Sequence, residues 1–521
     1  MSALPSPILF ETPFTEIAQR IRGFAEAQPT RIALDDGESQ LTYEQLDRWM
    51  DQTACALQRE GVQPGQAIAI CAETSVRYAA TFLGALRAGV VVAPLAPSAN
   101  AETLAAMLSD AEAKVLFIDP STAPRFAESA DRGHKVNLSD EPLSDTTRIR
   151  DWLASDGGKP QVAEVGPDSP FNIIYSSGTT GTPKGIVQSH GMRWAHVRRG
   201  SRYGYGPQTV TLLATPLYSN TTLVVFFPTI ASGGTLLLMR KFDTIKYLEW
   251  AQTRRVTHTM LVPVQVQRLL AEPHFDEFDL SHFEAKFCTS APFHADLKKA
   301  TLERWPGGLI EFYGMTEGGA SFILNAHERP DKLHTVGQVA PGCEVRLIDE
   351  DGKALPMDAL GEVVGRSAGM MLGYHRQPEK TREAEWFDET GQRFIRTGDI
   401  GQLDAEGFLT LMDRRKDMII SGGFNIYPSD IEAQMRLHPS VSDVAVVGAA
   451  SSQWGETPVA FVVLNDHGPD PEAVRLWYNE KAGKTQRLSA IVRLDELPRS
   501  AIGKVLKREL RDWYAQHGPP L

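Results

Sequence analysis

The sequence predicts an α/β protein: a large N-terminal domain of two α/β layered subdomains plus a small β barrel, and a small mobile α+β C-terminal domain. Three observations predict it. Helical periodicities alternate with short apolar runs along two successive stretches of chain, the rhythm of an α/β layer. Between about Thr335 and Leu411 the pattern changes to short alternating strands with Gly/Asp turns. A charge-dense run, Asp413 to Asp417, then separates that stretch from a fresh helix–strand pattern. At 521 residues the chain exceeds what one hydrophobic core serves, so more than one domain is expected.

The first layer runs from Phe14 to about Pro120. Its helices are expected over Ile17 to Glu26 and Tyr43 to Arg59, and its strands over Ala67 to Ile70 and Val90 to Pro94. In the second layer, Thr211 to Ala214, Gly234 to Met239 and His258 to Val262 read as strands. Thr244 to Arg254 and Val264 to Ala271 read as helices. In the β-rich stretch, Asp351-Gly352 inside EVRLIDEDGKAL marks a hairpin. After the charged run come a helix from about Pro428 to Arg436, strands over Val441 to Val447 and Val459 to Val463, and a closing basic helix from Lys504 to about Gln516. The expected boundaries are 1–413 for the N-terminal domain, 414–417 for a hinge and 418–521 for the C-terminal domain.

Composition excludes several function classes. The hydrophobic content is 42%, yet no uncharged apolar run approaches the ~18 residues of a membrane span. The opening MSALPSPILFETPF lacks the basic region and apolar block of a secretory signal, so a cytoplasmic location is expected. Cys55, Cys71, Cys288 and Cys343 are widely spaced, form no CxxC pair and are assigned to the core. A net charge of −12 argues against a nucleic-acid-binding surface. A small anion is still a possible ligand, because loops and helix N-termini hold one whatever the overall charge.

Four segments carry chemistry. YSSGTTGTPKG, Tyr175 to Gly185, is built to hold phosphate: Gly178 and Gly181 let the backbone turn tightly, Ser176, Ser177, Thr179, Thr180 and Thr182 offer hydroxyls, and Lys184 adds charge. It is not a Walker A loop, because Lys184 precedes Gly185 and strand-like Ile186 and Val187. A polar surface turn is the other reading of that composition. In EFYGMTEGG, Glu311 to Gly319, Thr316 and Glu317 suit Mg2+ carrying nucleotide phosphate, since Mg2+ takes few protein ligands. RTGDI ends a predicted strand with Asp399, which either accepts hydrogen bonds from a ribose diol or caps its own turn. PRSAIGK places Lys504 after a glycine at the expected start of the last helix, on a loop able to reach developing negative charge.

In this order and spacing, with LTYEQLD at Leu41 to Asp47 and AGVVVAPLAP at Ala88 to Pro97, these motifs resemble the adenylate-forming superfamily. That superfamily holds acyl-CoA synthetases, luciferases and peptide-synthetase adenylation domains, and the resemblance covers nearly the whole chain. It implies ATP, Mg2+ and coenzyme A as cofactors. The loop from Ser176 to Lys184 would wrap the β and γ phosphates, with Thr316 and Glu317 at the α phosphate and Thr180 and Glu317 at the metal. The adenine would lie along Thr289, Ser290, Ala291 and Pro292 and along Phe312, Tyr313, Gly314 and Met315. Asp399 would bind the ribose hydroxyls, Arg414 would reach the ribose or phosphate, and Lys504 would steady the carboxylate and α phosphate during adenylation.

For the second half-reaction the resemblance implies rotation about Lys416. Rotation would bring in Ser421, Gly422, Gly423 and Phe424, with Trp454 beside the thiol tunnel. The implied acyl pocket comprises Tyr218, Ser219, Asn220, Thr221, Val264, Ser290, Gly314, Met315, Gly319 and Ala320. Ser219 stands where many acyl-CoA synthetases carry a gating histidine, and Ile395 replaces a common aromatic. These mostly small or apolar residues include no base to pair with a second carboxylate, which favours a monocarboxylic acid with an apolar or aromatic tail over malonate or an amino acid. The segment DMIISGGFNIYPSDIE, Asp417 to Glu432, resembles benzoate, hydroxycinnamate and fatty-acid CoA ligases, and that resemblance implies an aromatic acid of benzoate or hydroxycinnamate type. A fatty-acid CoA ligase and a stand-alone adenylation enzyme loading a carrier protein are the alternatives, with a luciferase-like monooxygenase and a non-enzymatic nucleotide sensor further off. The partners implied are the acid, ATP and CoA, with a homodimer as a possible assembly.

Overall fold

The computed structural model describes residues 3–126, 134–176, 183–414, 417–421, 424–451, 453–465, 470–483, 486–500, 503–519 and 521. The chain divides into two compact units, Met1–Glu344 with Gly365–Ile395, and Val345–Val364 with Arg396–Leu521. The division passes through the strand-rich stretch itself.

The first unit holds two large sheets. In one, the central strands Val91–Pro94, Ala67–Cys71, Val115–Ile118 and His134–Asn137 are parallel. Its other side carries Pro170–Ser176 paired antiparallel with Lys184–Ser189, in register Ser176↔Lys184. In the second sheet, Thr235–Leu238, Val210–Leu213, His258–Leu261, Ala285–Cys288 and Gly308–Tyr313 run parallel side by side. Such strands are covered on both faces and read as continuous apolar runs. Along Ala67–Cys71, Ile68 and Ile70 enter one core while Ala67, Ala69 and Cys71 enter another.

The larger core joins the two sheets through helices. Leu46 and Met50 from Tyr43–Arg59, Phe82 and Leu83 from Val76–Arg87, and Phe226 and Phe227 from Asn220–Ala231 all lie in it, with Ile68 from one sheet and Leu213 from the other. The helix Tyr43–Arg59 starts where the sequence predicts because Thr42 and Gln45 form a reciprocal capping box.

Cys343–Ile348, whose residues from Val345 on belong to the second unit, and Ala354–Leu355 form the expected hairpin in register Leu347↔Leu355, with Gly352 at φ 79° in the turn. The strands of this stretch form a half-barrel. The C-terminal sheet pairs Val441–Ser451 antiparallel with Gly455–Leu464, which runs parallel to Ala490–Arg493. Its two faces are separately covered. Val444 and Val446 meet Ile431, Met435, Val474 and Tyr478, whereas Ala445 and Val447 meet Leu510 and Tyr514 of the last helix. Among the described residues, no helix is long and apolar enough to cross a membrane.

Two local expectations are corrected. The last helix spans Lys507–His517, and Lys504 precedes it in a loop closed by an Arg499–Val505 bridge and a Ser500 N–H bond to the Lys504 carbonyl at 2.8 Å. A turn made by Gly503 at φ 74° delays the helix. The strand predicted to end at Asp399 continues from Arg393 to Leu403, because a register shift between Asp399 and Gly401 lets pairing resume.

Candidate active site

In the first unit, the exit of the glycine-rich loop meets the Thr-Glu turn. Lys184 places its ammonium 5.2 Å from the centre of the Tyr374 ring, and the Tyr374 hydroxyl donates to Glu317 Oε1 at 2.9 Å. The Met371 amide fixes the Glu317 carbonyl at 2.8 Å. Burial and the Glu317 charge push the Tyr374 hydroxyl above its usual pKa, so it stays a donor to the carboxylate. At the loop's other stem the Tyr175 hydroxyl donates to Asp110 at 2.7 Å. Gly185 is required opposite it: a Cβ there would stand 2.8 Å from Ile173 and 3.0 Å from the Tyr175 ring. Ser177, Gly178, Thr179, Thr180 and Gly181 lie outside the described residues, as does the side chain of Ser176.

Thr316 is positioned from beneath. The fully buried Gln188 donates to the Thr316 carbonyl at 2.7 Å and to Asn220 at 3.4 Å. Its own carbonyl accepts from Asn172 at 3.1 Å and from Arg193, whose Nε also bonds Asn172 at 3.1 Å. The Arg193 guanidinium is sealed against the rings of Phe171 and Phe227 at 5.9 and 5.6 Å. Burial lowers its pKa to about 9. A buried cation is thus wired by two amides to the turn that carries Thr316 and Glu317.

The expected adenine and acyl segments adjoin one another at the ends of parallel strands. Phe312 stacks on Phe287 with centroids 5.2 Å apart, and the Thr289 hydroxyl donates to the Phe312 carbonyl at 2.7 Å. Ser290 has φ 80°, a strained backbone for a non-glycine residue, and its hydroxyl is bonded to that of Thr221. Ser219 is buried and caps the helix Asn220–Ala231 by accepting from the Thr221 amide at 3.3 Å. The serine at the gating position is therefore a structural cap. Tyr218 is half-buried, with its hydroxyl pushed up to about 12 by burial. At Gly319 and Ala320 backbones nearly touch: a Cβ on Gly365 would stand 2.2 Å from the Ala320 nitrogen. Beneath the turn, Glu311 pairs with Lys298 at 2.5 Å; burial raises the carboxyl to about 7 and the ammonium opposes that rise.

In the second unit, Asp399 and Arg414 are cross-strand neighbours in register. The Asp399 carboxylate is buried, and its amide donates to Thr397 Oγ1 at 3.0 Å, which in turn donates to the Val363 carbonyl at 2.7 Å. The side chain of Arg414 lies outside the described residues. Ser421 pairs with both Phe424 and Gly455, so Phe424 and Trp454 gather at one end of the C-terminal sheet. These aromatics are 62% and 50% exposed. Lys416, Gly422 and Gly423 lie outside the described residues.

Residues 21–375 match the AMP-binding enzyme family, and residues 430–504 match the AMP-binding enzyme C-terminal domain. The chain belongs to the AMP-binding enzymes. It is 32% identical over 496 residues to a feruloyl-CoA synthase of Amycolatopsis sp, covering 94% of this chain and 96% of that one. An indoleacetate–CoA ligase of Aromatoleum aromaticum is 30% identical over 526 residues, covering 96% and 98%. Among solved structures, ATP-bound MatB from Rhodopseudomonas palustris superposes with a TM-score of 0.87 at 29% identity, covering 96% of this chain and 100% of that one.

Sequence reasoning missed several residues of this AMP-binding enzyme. Tyr374, Gln188, Arg193 and Asn172 reach the site only through tertiary contacts. For Asn172 and Gln188 the available signal was a lone polar residue beside apolar strand neighbours, in FNII and GIVQ; Arg193, in a helix with two further arginines and two histidines, carried none.

Proposed function

We propose that this AMP-binding enzyme joins ATP and an aromatic carboxylic acid into an acyl-adenylate with release of pyrophosphate, and then transfers the acyl group to coenzyme A. The arrangement that carries this reading is Glu317, held by Tyr374 beside Lys184 at the exit of the glycine-rich loop. One carboxylate with a neighbouring ammonium suits Mg2+-bound nucleotide phosphate, since Mg2+ usually keeps several waters and takes one or two carboxylates. Bound Mg2+ neutralises charge on the phosphate oxygens.

A carboxylate attacking the α phosphorus brings two anions together, so the protein's task is to hold cations and N–H donors where charge builds. Lys184 and the loop amides serve the departing pyrophosphate. Lys504 serves the reacting carboxylate and α phosphate, and Asp399 with Arg414 holds the ribose. Lys416 is the proposed hinge between domains 1–413 and 418–521. After rotation there, Ser421, Gly422, Gly423, Phe424 and Trp454 line the path of the pantetheine thiol. The aromatic preference is supported by feruloyl-CoA synthase and indoleacetate–CoA ligase among the relatives.

The test is pyrophosphate release with a panel of aromatic and aliphatic acids, with and without CoA. Aromatic acids are expected to react fastest and to yield thioester. Turnover only with a carrier protein, or only with alkyl acids, would refute the respective half of the proposal.

A further inference from the structure

The helix His190–Gly200, HGMRWAHVRRG, carries Arg193, Arg198 and Arg199 and no acid, with Arg202 just beyond it. Among the described residues no Asp or Glu lies within ion-pair distance, 4.0 Å, of any of the four. Three have other occupations: Arg193 is bonded to Asn172 and Gln188, while Arg198 and Arg202 lie 6.0 and 5.1 Å over the Phe10 ring. Arg199 differs. Its Nη1 donates to Ser321 Oγ at 3.0 Å, leaving most of its N–H groups to spare.

One turn earlier on the same side of the helix stands His196, whose Nδ1 is sealed from solvent without a hydrogen-bond partner. Burial and the charges of Arg193 and Arg199 hold its pKa well below the usual value, so the ring is neutral. The neighbours of these two side chains adjoin the candidate acyl pocket, Ser321 through Gly314 and Gly369 through the Gly318–Ala320 turn. A Cβ on Gly314 would stand 3.4 Å from Ser321 Oγ, and one on Gly369 would stand 3.9 Å from His196 Nε2. Gly369 in turn presses its carbonyl against Gly318, next to Gly319 and Ala320.

We propose that Arg199 and His196, with Ser321 anchoring the arginine, bind an oxygen at the end of the substrate opposite its reacting carboxylate. That oxygen is a phenolic hydroxyl or a second carboxylate: an acceptor of negative character facing a cation and a neutral imidazole. A hydrocarbon tail would expel water from these donors and leave them unpaired, and a site built to bond an oxygen discriminates strongly against an analogue that lacks it. Arg199 and His196 are thereby specificity-determining residues, and the absence of a base from the sequence-predicted pocket is made good by a helix behind it. This inference rests on the proposed acid activation.

The experiment measures kcat/KM for pyrophosphate release with cinnamate, 4-hydroxycinnamate and 4-carboxycinnamate, for the wild type and for Arg199→Met and His196→Phe. At least one oxygen-bearing acid should exceed cinnamate by roughly a hundredfold, and each variant should cut that ratio about tenfold, through KM more than kcat. Which of the two acids is favoured identifies the oxygen. Ser321→Ala gives the same readout should Arg199→Met fail to fold. Equal efficiency on all three acids, or an unchanged ratio in folded variants, overturns the inference while leaving acid activation standing. No pyrophosphate release with any acid overturns both.

Discussion

Glu317 is held at two points, by the Tyr374 hydroxyl on its carboxylate and by the Met371 amide on its carbonyl. Groups that orient a metal-binding carboxylate typically matter ten- to a hundredfold, so Tyr374→Phe is expected to raise the Mg2+ concentration for half-maximal adenylation by about tenfold. Titrating Mg2+ at fixed ATP checks this, and an unchanged midpoint would dissociate Tyr374 from the metal. Glu311 makes a separate prediction. Its folded pKa, raised to about 7 from 4.5 by burial, means that the native state binds more protons than the unfolded chain between those values. Stability contributed by the protonated carboxyl is complete below about 4.5 and is lost as pH rises through about 7. Relative to Glu311→Gln, the wild type should therefore lose stability across that window, as read by chemical denaturation at a series of pH values; a parallel pH profile in the variant would show that Lys298 already cancels the effect. Both residues stand in EFYGMTEGG, where the sequence marks Thr316 and Glu317 for function. Tyr374 stands 57 residues beyond Glu317 and only the fold brings it there.

The strand Lys184–Ser189 and the helix His190–Gly200 link these residues to the core. Gln188 and Arg193, five positions apart, share a hydrogen bond and pair with Asn172 on the adjoining strand. Removing one partner of a buried charge strands the other, whereas replacing the whole group with apolar residues is often neutral. Gln188→Leu alone should cost about 3 kcal/mol, and Gln188→Leu with Arg193→Met should recover more than half of that loss. Additive losses in denaturant unfolding would refute the coupling. At this scale much was legible. The buried strands announced themselves as apolar runs, and the capping box at Thr42 fixed the start of Tyr43–Arg59. What escaped were features set by neighbours: the register shift that carries a strand past Asp399, the bridge that keeps Lys504 out of the last helix, and the buried polar cluster of Asn172, Gln188 and Arg193.

At the scale of the whole molecule, the candidate residues are divided between two units, with Lys184, Thr316 and Glu317 in one and Asp399, Lys504 and Trp454 in the other. Motif order along the chain foretold that all of these belong to one family, but it carries no information about how segments far apart in sequence approach. Kinetics that separate the half-reactions supply it. The bridge between Arg499 and Val505 presents Lys504 on a closed loop rather than on a helix, so the ammonium can be withdrawn without unfolding an element. If Lys504 serves the first half-reaction alone, Lys504→Ala should slow acyl-adenylate formation at least a hundredfold, the usual consequence of losing one charge-stabilising donor, about 3 kcal/mol. Thioester formation from preformed adenylate should change much less. Lys416→Pro makes the converse case, because proline fixes φ and removes an N–H where the proposed rotation needs backbone freedom. That variant should form adenylate in a single-turnover assay and stall before thioester. Equal losses in both half-reactions for Lys504→Ala would remove its assigned role, and normal thioester turnover in Lys416→Pro would place the hinge elsewhere.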